Sequence, residues 1–209
     1  MVDRGRLIAL EGIDGCGKST HTRLLADAVG AIATEEPGST GLGRSLRALV
    51  LDPELPSVAP RTEALLLAAD RAQHVAEVVA PALGTGRWVV TDRFSGSMLA
   101  YQGYGRGMDL DALRRLSAWA AQGIEPDLNV LVDVAPDVAR ARWRGVTPDR
   151  LERLDSAFHD RVRGGYLALA RAEPERWAVV DANSDVDTVA AAILSTVVDR
   201  LGPLPTHPS

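Results

Sequence analysis

Lysine is almost absent from this chain of 209 residues: Lys18 is the only one, and the other basic side chains, histidines aside, are arginines. An N-K-x-D guanine-recognition motif is therefore excluded, and with it a GTPase switch of that kind. Cysteine is equally scarce. Cys16 stands alone, so an intrachain disulfide is ruled out and nothing points to an oxidising compartment. Long apolar runs are missing too. None approaches the ~20 residues of a membrane span, and Leu7–Leu10 is too short for a signal-peptide core. The chain also lacks an excess of positive charge. Its formal net charge of −5 argues against a bulk nucleic-acid binder. The four histidines are scattered without metal spacing. The expectation is a cytoplasmic protein with small-molecule partners and neither membrane nor nucleic acid.

What the chain does have is alternation. Besides a weaker candidate at Ala31–Thr34, the apolar runs at Leu7–Leu10, Trp88–Thr91, Leu128–Val134 and Trp177–Val180 are continuous rather than alternating. That is the pattern of strands covered on both faces. Helical spacing falls between them, at Lys18–Val29, Leu42–Leu51, Arg61–Leu83, Asp109–Gln122, Ser156–Arg171 and Val186–Leu201. Strand–helix alternation predicts an α/β fold with a five-stranded parallel sheet flanked by helices. Residues 1–201 read as one domain. Residues 140–153, crowded with arginine, read as a lid, and the proline-rich residues 202–209 as a frayed tail.

Gly12-Ile13-Asp14-Gly15-Cys16-Gly17-Lys18-Ser19 matches G-x-x-x-x-G-K-[ST] in full, between a strand and a helix. The glycines allow backbone angles that turn successive N–H groups inward, forming an anion nest at a helix N-terminus. Lys18 is placed for the β- and γ-phosphates of ATP, and the Ser19 hydroxyl for Mg²⁺. Asp14 is costly beside a triphosphate unless it points elsewhere, to a hydroxyl of a second substrate or to water around Mg²⁺. A plain solvated acid is the competing reading. Asp92-Arg93 ends the Trp88–Thr91 strand on the same sheet edge. Asp92 suits Mg²⁺ and Arg93 a phosphate.

Beyond these residues the stretch Asp92-Arg93-Phe94-Ser95-Gly96-Ser97-Met98-Leu99-Ala100-Tyr101-Gln102-Gly103 resembles the D-R-x-x-x-S-x-x-A-Y-Q-G signature of bacterial thymidylate kinases. Glu36-Pro37-Gly38, the opening from Glu11 through Thr20, and Pro126-Asp127 are similar to that family's segments as well. The resemblance implies the nucleoside monophosphate kinase fold, a homodimer, and transfer of the ATP γ-phosphoryl group to dTMP with Mg²⁺. It implies that Gly12 through Thr20 bind ATP, and that Ser19 and Asp92 bear on the metal. Asp14 would face the sugar end of dTMP, Arg93 and Arg47 its phosphate, and Arg71 the thymine edge. Ser97, Gln102 and Glu36 would complete the acceptor pocket, and Tyr101 would crowd the ribose 2′ position. The chain departs from the pattern at Glu35, Ser39, Leu67 and Met98. Leu67 stands where many members carry a stacking aromatic, and Met98 where they carry a polar residue near the base. A kinase of another nucleoside monophosphate or of a deoxynucleoside is the alternative.

Arg140-Ala141-Arg142-Trp143-Arg144-Gly145, followed by Asp149-Arg150-Leu151-Glu152, resembles the family's lid. A closing arginine flap would supply positive charge over the migrating group and exclude water. Lys18, Arg93, Arg144 and Arg150 are the expected catalytic side chains. Gly15 occupies a position where some relatives carry a basic residue, which leaves the transition-state arginine to the lid.

Overall fold

Each of the five apolar runs forms a strand. The computed structural model describes residues 4–55, 57–142 and 148–204, with side chains at all of these except Arg140 and Arg142. Strands β1 Leu7–Glu11, β2 Ile32–Glu35, β3 Val89–Asp92, β4 Leu128–Asp133 and β5 Trp177–Asp181 make one sheet in the order β2-β3-β1-β4-β5. Every neighbouring pair is parallel. The α/β expectation is borne out. The chain winds first to one side of β1, for β2 and β3, and then to the other, for β4 and β5. β1 therefore sits at the reversal, where a ligand crevice opens beyond the carboxyl ends of the strands.

All five residues of β1 are buried, and its side chains divide between two apolar layers. Leu7 and Ala9 pack with Val75, Val79 and Leu83, while Ile8 and Leu10 join Leu25, Ala26, Tyr166 and Ile193. Four of the helices begin where a side chain accepts from a free N–H group. Thr40 caps α2 (Gly41–Leu51), Asp109 caps α6 (Leu110–Ala120), Asp155 caps α8 (Ser156–Ala172) and Asp185 caps α9 (Val186–Leu201). Helix α1 (Lys18–Val29) ends on Gly30 at φ 64°, a left-handed C-cap.

Two segments differ from the periodicity. The expected single helix over 61–83 is three pieces, α3 (Pro60–His74), a π-helical turn Val75–Val79 and α4 (Ala80–Gly84). Pro81 supplies the reason, because it cannot donate an N–H and its ring crowds the preceding carbonyl, which widens the turn before it. The signature stretch, for which the spacing gave no element, forms a short helix α5 (Ser95–Met98) running into a second π segment, Leu99–Gly105. Helix α7 (Pro136–Arg142) leads toward the arginine-rich segment. Trp143 through Thr147, including the expected catalytic Arg144, lie outside the described residues, as does the tail from residue 205. No helix among the described residues is long and apolar enough to cross a membrane.

α8 packs closely on the second π segment, and adjacent glycines of α8 separate two effects. A Cβ at Gly165 would lie 2.6 Å from Tyr104 Cγ, whereas one at Gly164 would meet nothing within 4 Å. Gly165→Ala is expected to destabilise by about 1–3 kcal/mol through overpacking. Gly164→Ala is expected to stabilise by about 0.5–1 kcal/mol through helix propensity. Urea unfolding of the two variants, read against the parent, checks the opposite signs.

Candidate active site

A cavity of about 660 Å³ opens at the carboxyl end of the sheet. One wall is the loop between β1 and α1. Gly12, Gly15 and Gly17 have φ of 149°, 80° and 96°, which L side chains rarely adopt. At Gly15 the restriction is doubled, because a Cβ would meet the Ala139 carbonyl oxygen of α7 at 2.6 Å. No side chain fits at position 15, basic or otherwise, while α7 stands there. Lys18 is buried, and its Nζ donates to the Ile13 carbonyl at 2.9 Å. Cys16 is fully buried with its Sγ 3.7 Å from Lys18 Nζ, and burial pushes its thiol up.

The facing wall is the turn after β3. Glu11, the last residue of β1, is fully buried and holds this turn. Its Oε1 accepts from the backbone N–H groups of Phe94 and Ser97 at 3.0 and 3.1 Å. Its Oε2 accepts from Ser97 Oγ at 2.6 Å and from the Tyr166 hydroxyl at 3.2 Å. Burial raises the Glu11 carboxyl against the opposing effects of the Ser97 hydrogen bond and the Arg93 charge. Arg93 sits at φ 70°, a strained backbone for a non-glycine residue. Its guanidinium donates to the Gly12 carbonyl at 3.0 Å, to Ser97 Oγ and Tyr166 Oη at 3.1 Å each, and pairs with Asp14. The Tyr101 ring lies 5.0 Å from it, and the Tyr101 hydroxyl donates to Asp14 Oδ2 at 2.6 Å. Burial alone would raise the Asp14 carboxyl. The charges of Arg93 and Lys18 and the Tyr101 hydrogen bond outweigh it and hold the carboxyl at about 2.

Ser19 Oγ donates to Asp92 Oδ2 at 2.5 Å, joining α1 to the end of β3. Asp92 Oδ1 is buried and without a hydrogen-bond partner. A hydroxyl and a carboxylate with a spare oxygen are hard donors suited to Mg²⁺.

Deeper in the cavity, Arg71 is buried. Its Nε donates to Glu36 at 2.9 Å, one terminal nitrogen to the Phe94 carbonyl at 2.9 Å and the other to Ser117 Oγ at 3.0 Å. The remaining contact of that last nitrogen is Met98 Sδ at 3.9 Å, a weak acceptor. Glu36 Oε1 also lies 2.9 Å from His74 Nδ1. Asp70 Oδ1 accepts from Gly38 N at 3.0 Å, and burial and the charge of Glu36 raise its carboxyl to about 6. Gln102 and Leu67 line the same space. At the mouth, Arg47 donates to the Pro37 carbonyl at 2.6 Å and pairs with Glu35 at 3.3 Å.

Thus Asp14, Gly15, Gly17, Lys18, Ser19, Thr20, Glu36, Arg47, Arg71, Asp92, Arg93, Ser97, Tyr101 and Gln102 are brought to one cavity. Gly12, Ile13 and Cys16 shape the loop behind it. Arg150 is not among the lining residues. Its fork donates to Glu63 at 2.8 Å and to the Val50 carbonyl at 2.9 Å. Side chains to which the sequence pattern assigned no role in the site are there instead. Asp149 and Glu152 line the cavity, and Tyr166, whose helical position suggests core packing, bonds Arg93.

A phosphate loop at the central strand of this sheet, with arginines and a carboxylate across the cleft, defines a P-loop phosphotransferase of the nucleoside monophosphate kinase type. More narrowly, the chain belongs to the thymidylate kinase family, whose model matches residues 10–193. It is 50% identical over 196 residues to the thymidylate kinase of Leifsonia xyli subsp. xyli, covering 90% of this chain and 92% of that one. It is 46% identical over 199 residues to the thymidylate kinase of Chromobacterium violaceum, covering 92% and 93%. The crystal structure of thymidylate kinase from Ehrlichia chaffeensis superposes with a TM-score of 0.78 at 28% identity, over 93% of this chain and 99% of that one.

Glu152 faces the cavity with its carboxyl raised from 4.5 to about 7, through burial and repulsion from Asp149 and Asp14. The folded state therefore keeps a proton that the unfolded chain loses between those values. The stability so contributed is present below about 4.5 and lost as pH rises to about 7. Glu152→Gln is expected to flatten the fall of stability across that window. Melting temperatures taken from pH 4.5 to 7.5 test it, and an unchanged slope would count against the burial of this carboxyl.

Proposed function

We propose that this chain catalyses transfer of the γ-phosphoryl group of ATP to the 5′-phosphate of dTMP, giving dTDP and ADP, with Mg²⁺ held beside the donor phosphates. The observation that carries this reading is the Arg93–Asp14–Tyr101 cluster, which joins the turn after β3 to the phosphate loop within one cavity. In this reading Gly12 through Thr20 hold ATP, with Lys18 against the β,γ-phosphates. Ser19 and Asp92 hold Mg²⁺, which, when bound, neutralises charge on the transferring group. The spare Asp92 oxygen supports that assignment.

On the acceptor side, Arg93 and Arg47 take the dTMP phosphate. A phosphate drawing on the Arg93 fork releases Asp14 toward the sugar hydroxyl, and Tyr101 packs where a 2′-hydroxyl would project. Ser97 serves by fixing Arg93, and Glu36 by holding Arg71. The Arg71 N–H that faces only the Met98 thioether is the donor available to a base carbonyl. Gln102 Oε1 is buried without a partner and suits the pyrimidine N3–H. Leu67 supplies an apolar wall in place of an aromatic ring. Single-domain organisation over residues 1–201, with a lid at about 140–153, completes the reading. The close fit of α7 to Gly15 supports drawing the transition-state charge from the lid arginines, Arg144 among them. The contacts of Arg150 favour a part in anchoring the lid's far end.

An acceptor screen with labelled ATP tests the assignment, with dTMP expected to give the highest kcat/KM. A different best nucleotide would move the chain to another branch of the kinases. Lys18→Ala is expected to lower kcat by about 10²–10³. Arg93→Ala is expected to raise the dTMP KM by about 10–100-fold with little change in that for ATP. A shift confined to ATP would place Arg93 on the donor side.

The proposed assembly is a homodimer. Leu42 and Leu49 of α2, Leu65 of α3 and Trp119 of α6 are exposed, Trp119 to 82%. α2 packs on α3 and α3 on α6, and exposed apolar side chains on packed helices are what an interface would cover. Trp119→Glu is expected to shift the sedimentation coefficient from dimer to monomer. A dimer that survives it would put the interface elsewhere.

A further inference from the structure

Glu63 of α3 is fully buried, and the mechanism above makes no use of it. Three side chains far from it in sequence, two of them neighbours on the second π segment and its end, converge on its carboxylate. Gln102 Nε2 donates to Oε1 at 2.9 Å. Arg106 Nη2 and Arg150 Nη2 donate to Oε2 at 2.9 and 2.8 Å. Burial works to raise this carboxyl, but the hydrogen bonds from Arg106, Gln102 and Arg150 outweigh it and hold it below the usual range. The group is ionised at neutral pH and can only accept hydrogen bonds.

That fact fixes the amide beside it. A glutamine whose NH₂ meets a carboxylate must turn its carbonyl oxygen the other way, because the reversed amide would set oxygen against oxygen. Gln102 Oε1 is the atom left over, buried and without a hydrogen-bond partner, and Gln102 lines the cavity with Leu67, Arg71 and Met98. Amide oxygen and nitrogen are nearly the same size, so packing alone does not choose between the two orientations.

We propose that Glu63 is a positioning residue for base specificity: by locking the Gln102 amide, it makes the cavity present a hydrogen-bond acceptor at the pyrimidine N3. This rests on the reading that Gln102 faces the acceptor base. Thymine carries a proton at N3 and satisfies that oxygen. Cytosine carries a lone pair there and leaves two acceptors facing each other, and an unpaired buried polar group discriminates strongly. With Glu63 neutralised to an amide, which both donates and accepts, Gln102 turns over freely and offers its NH₂ to a cytosine.

The test is Glu63→Gln, assayed with saturating ATP against dTMP and dCMP as separate acceptors. The dTMP:dCMP ratio of kcat/KM is expected to fall about tenfold, with the KM for ATP unchanged. Arg71 still opposes the cytosine amino group, so the ratio is not abolished. Equal losses for both acceptors, leaving the ratio intact, would show Glu63 to be merely structural and overturn the proposal. Gln102→Met is run alongside. If it leaves dTMP KM unchanged, Gln102 does not face the base, and the acceptor-pocket reading fails first. If it lowers the ratio and Glu63→Gln adds nothing to it in the double variant, Glu63 acts through Gln102 as stated; additive effects would sink the proposal. Should Glu63→Gln not fold, Glu63→Asp keeps the charge for the two arginines while withdrawing from Gln102. The same ratio is then read: a fall supports the proposal, and an intact ratio overturns it.

Discussion

The bonds that Glu11 accepts are the constraint on which the acceptor side of the cavity depends. One buried carboxylate ties the end of β1 to the turn after β3 and to α8. That turn needs the tie, because Arg93 adopts a left-handed backbone that few L residues tolerate unforced. The fit leaves no slack: a Cβ on Gly96 would come within 2.8 Å of Glu11 Oε1 and 2.7 Å of the Trp177 ring. Strain in the backbone and compensation in the hydrogen bonds are thus two sides of one device. It aims a guanidinium over the phosphate loop, where a charge that moved by an ångström would lose most of its value.

Charge in and around this site is balanced pairwise, from an exposed pair at the mouth to buried pairs inside. Arg47 is set against Glu35, Arg93 against Asp14, Arg71 against Glu36, and Arg106 with Arg150 against Glu63. Breaking such a pair leaves an uncompensated charge in a poor solvent. Asp14 gains the Tyr101 hydroxyl and the charge of Lys18 beside that of Arg93, and together they hold its carboxyl at about 2 against burial.

Much of this could be read from the chain. The continuous apolar runs located four strands and the weaker run at Ala31–Thr34 the fifth, whose side chains alternate between half-buried and exposed; the glycine loop, Asp92-Arg93 and Arg71 line one cavity. Interactions local in sequence were legible; those closed by the fold were not. Pro81 breaks a helix that its apolar spacing extends, because periodicity counts side chains and not backbone donors. Glu63 was invisible for a related reason. Its partners lie 39, 43 and 87 residues away, and the only local hint is an acid on the buried face of α3. Arg150 was grouped with the flap because Asp149-Arg150-Leu151-Glu152 resembles the family's lid, and the distant Glu63 and Val50 are what its fork meets. The role of Glu35 at the mouth emerged only with Arg47 opposite it.

The scarcity of lysine has a practical outcome. Among the side chains there is one primary amine, and it sits 5% exposed at the floor of the phosphate loop. Reagents that modify ammonium groups, such as aldehydes followed by hydride reduction, isothiocyanates or acylating agents, find no competing side chain anywhere on the surface. Label incorporated at Lys18 would read the accessibility of this one amine, so a ligand that covers it could be titrated by mass spectrometry without a catalytic assay.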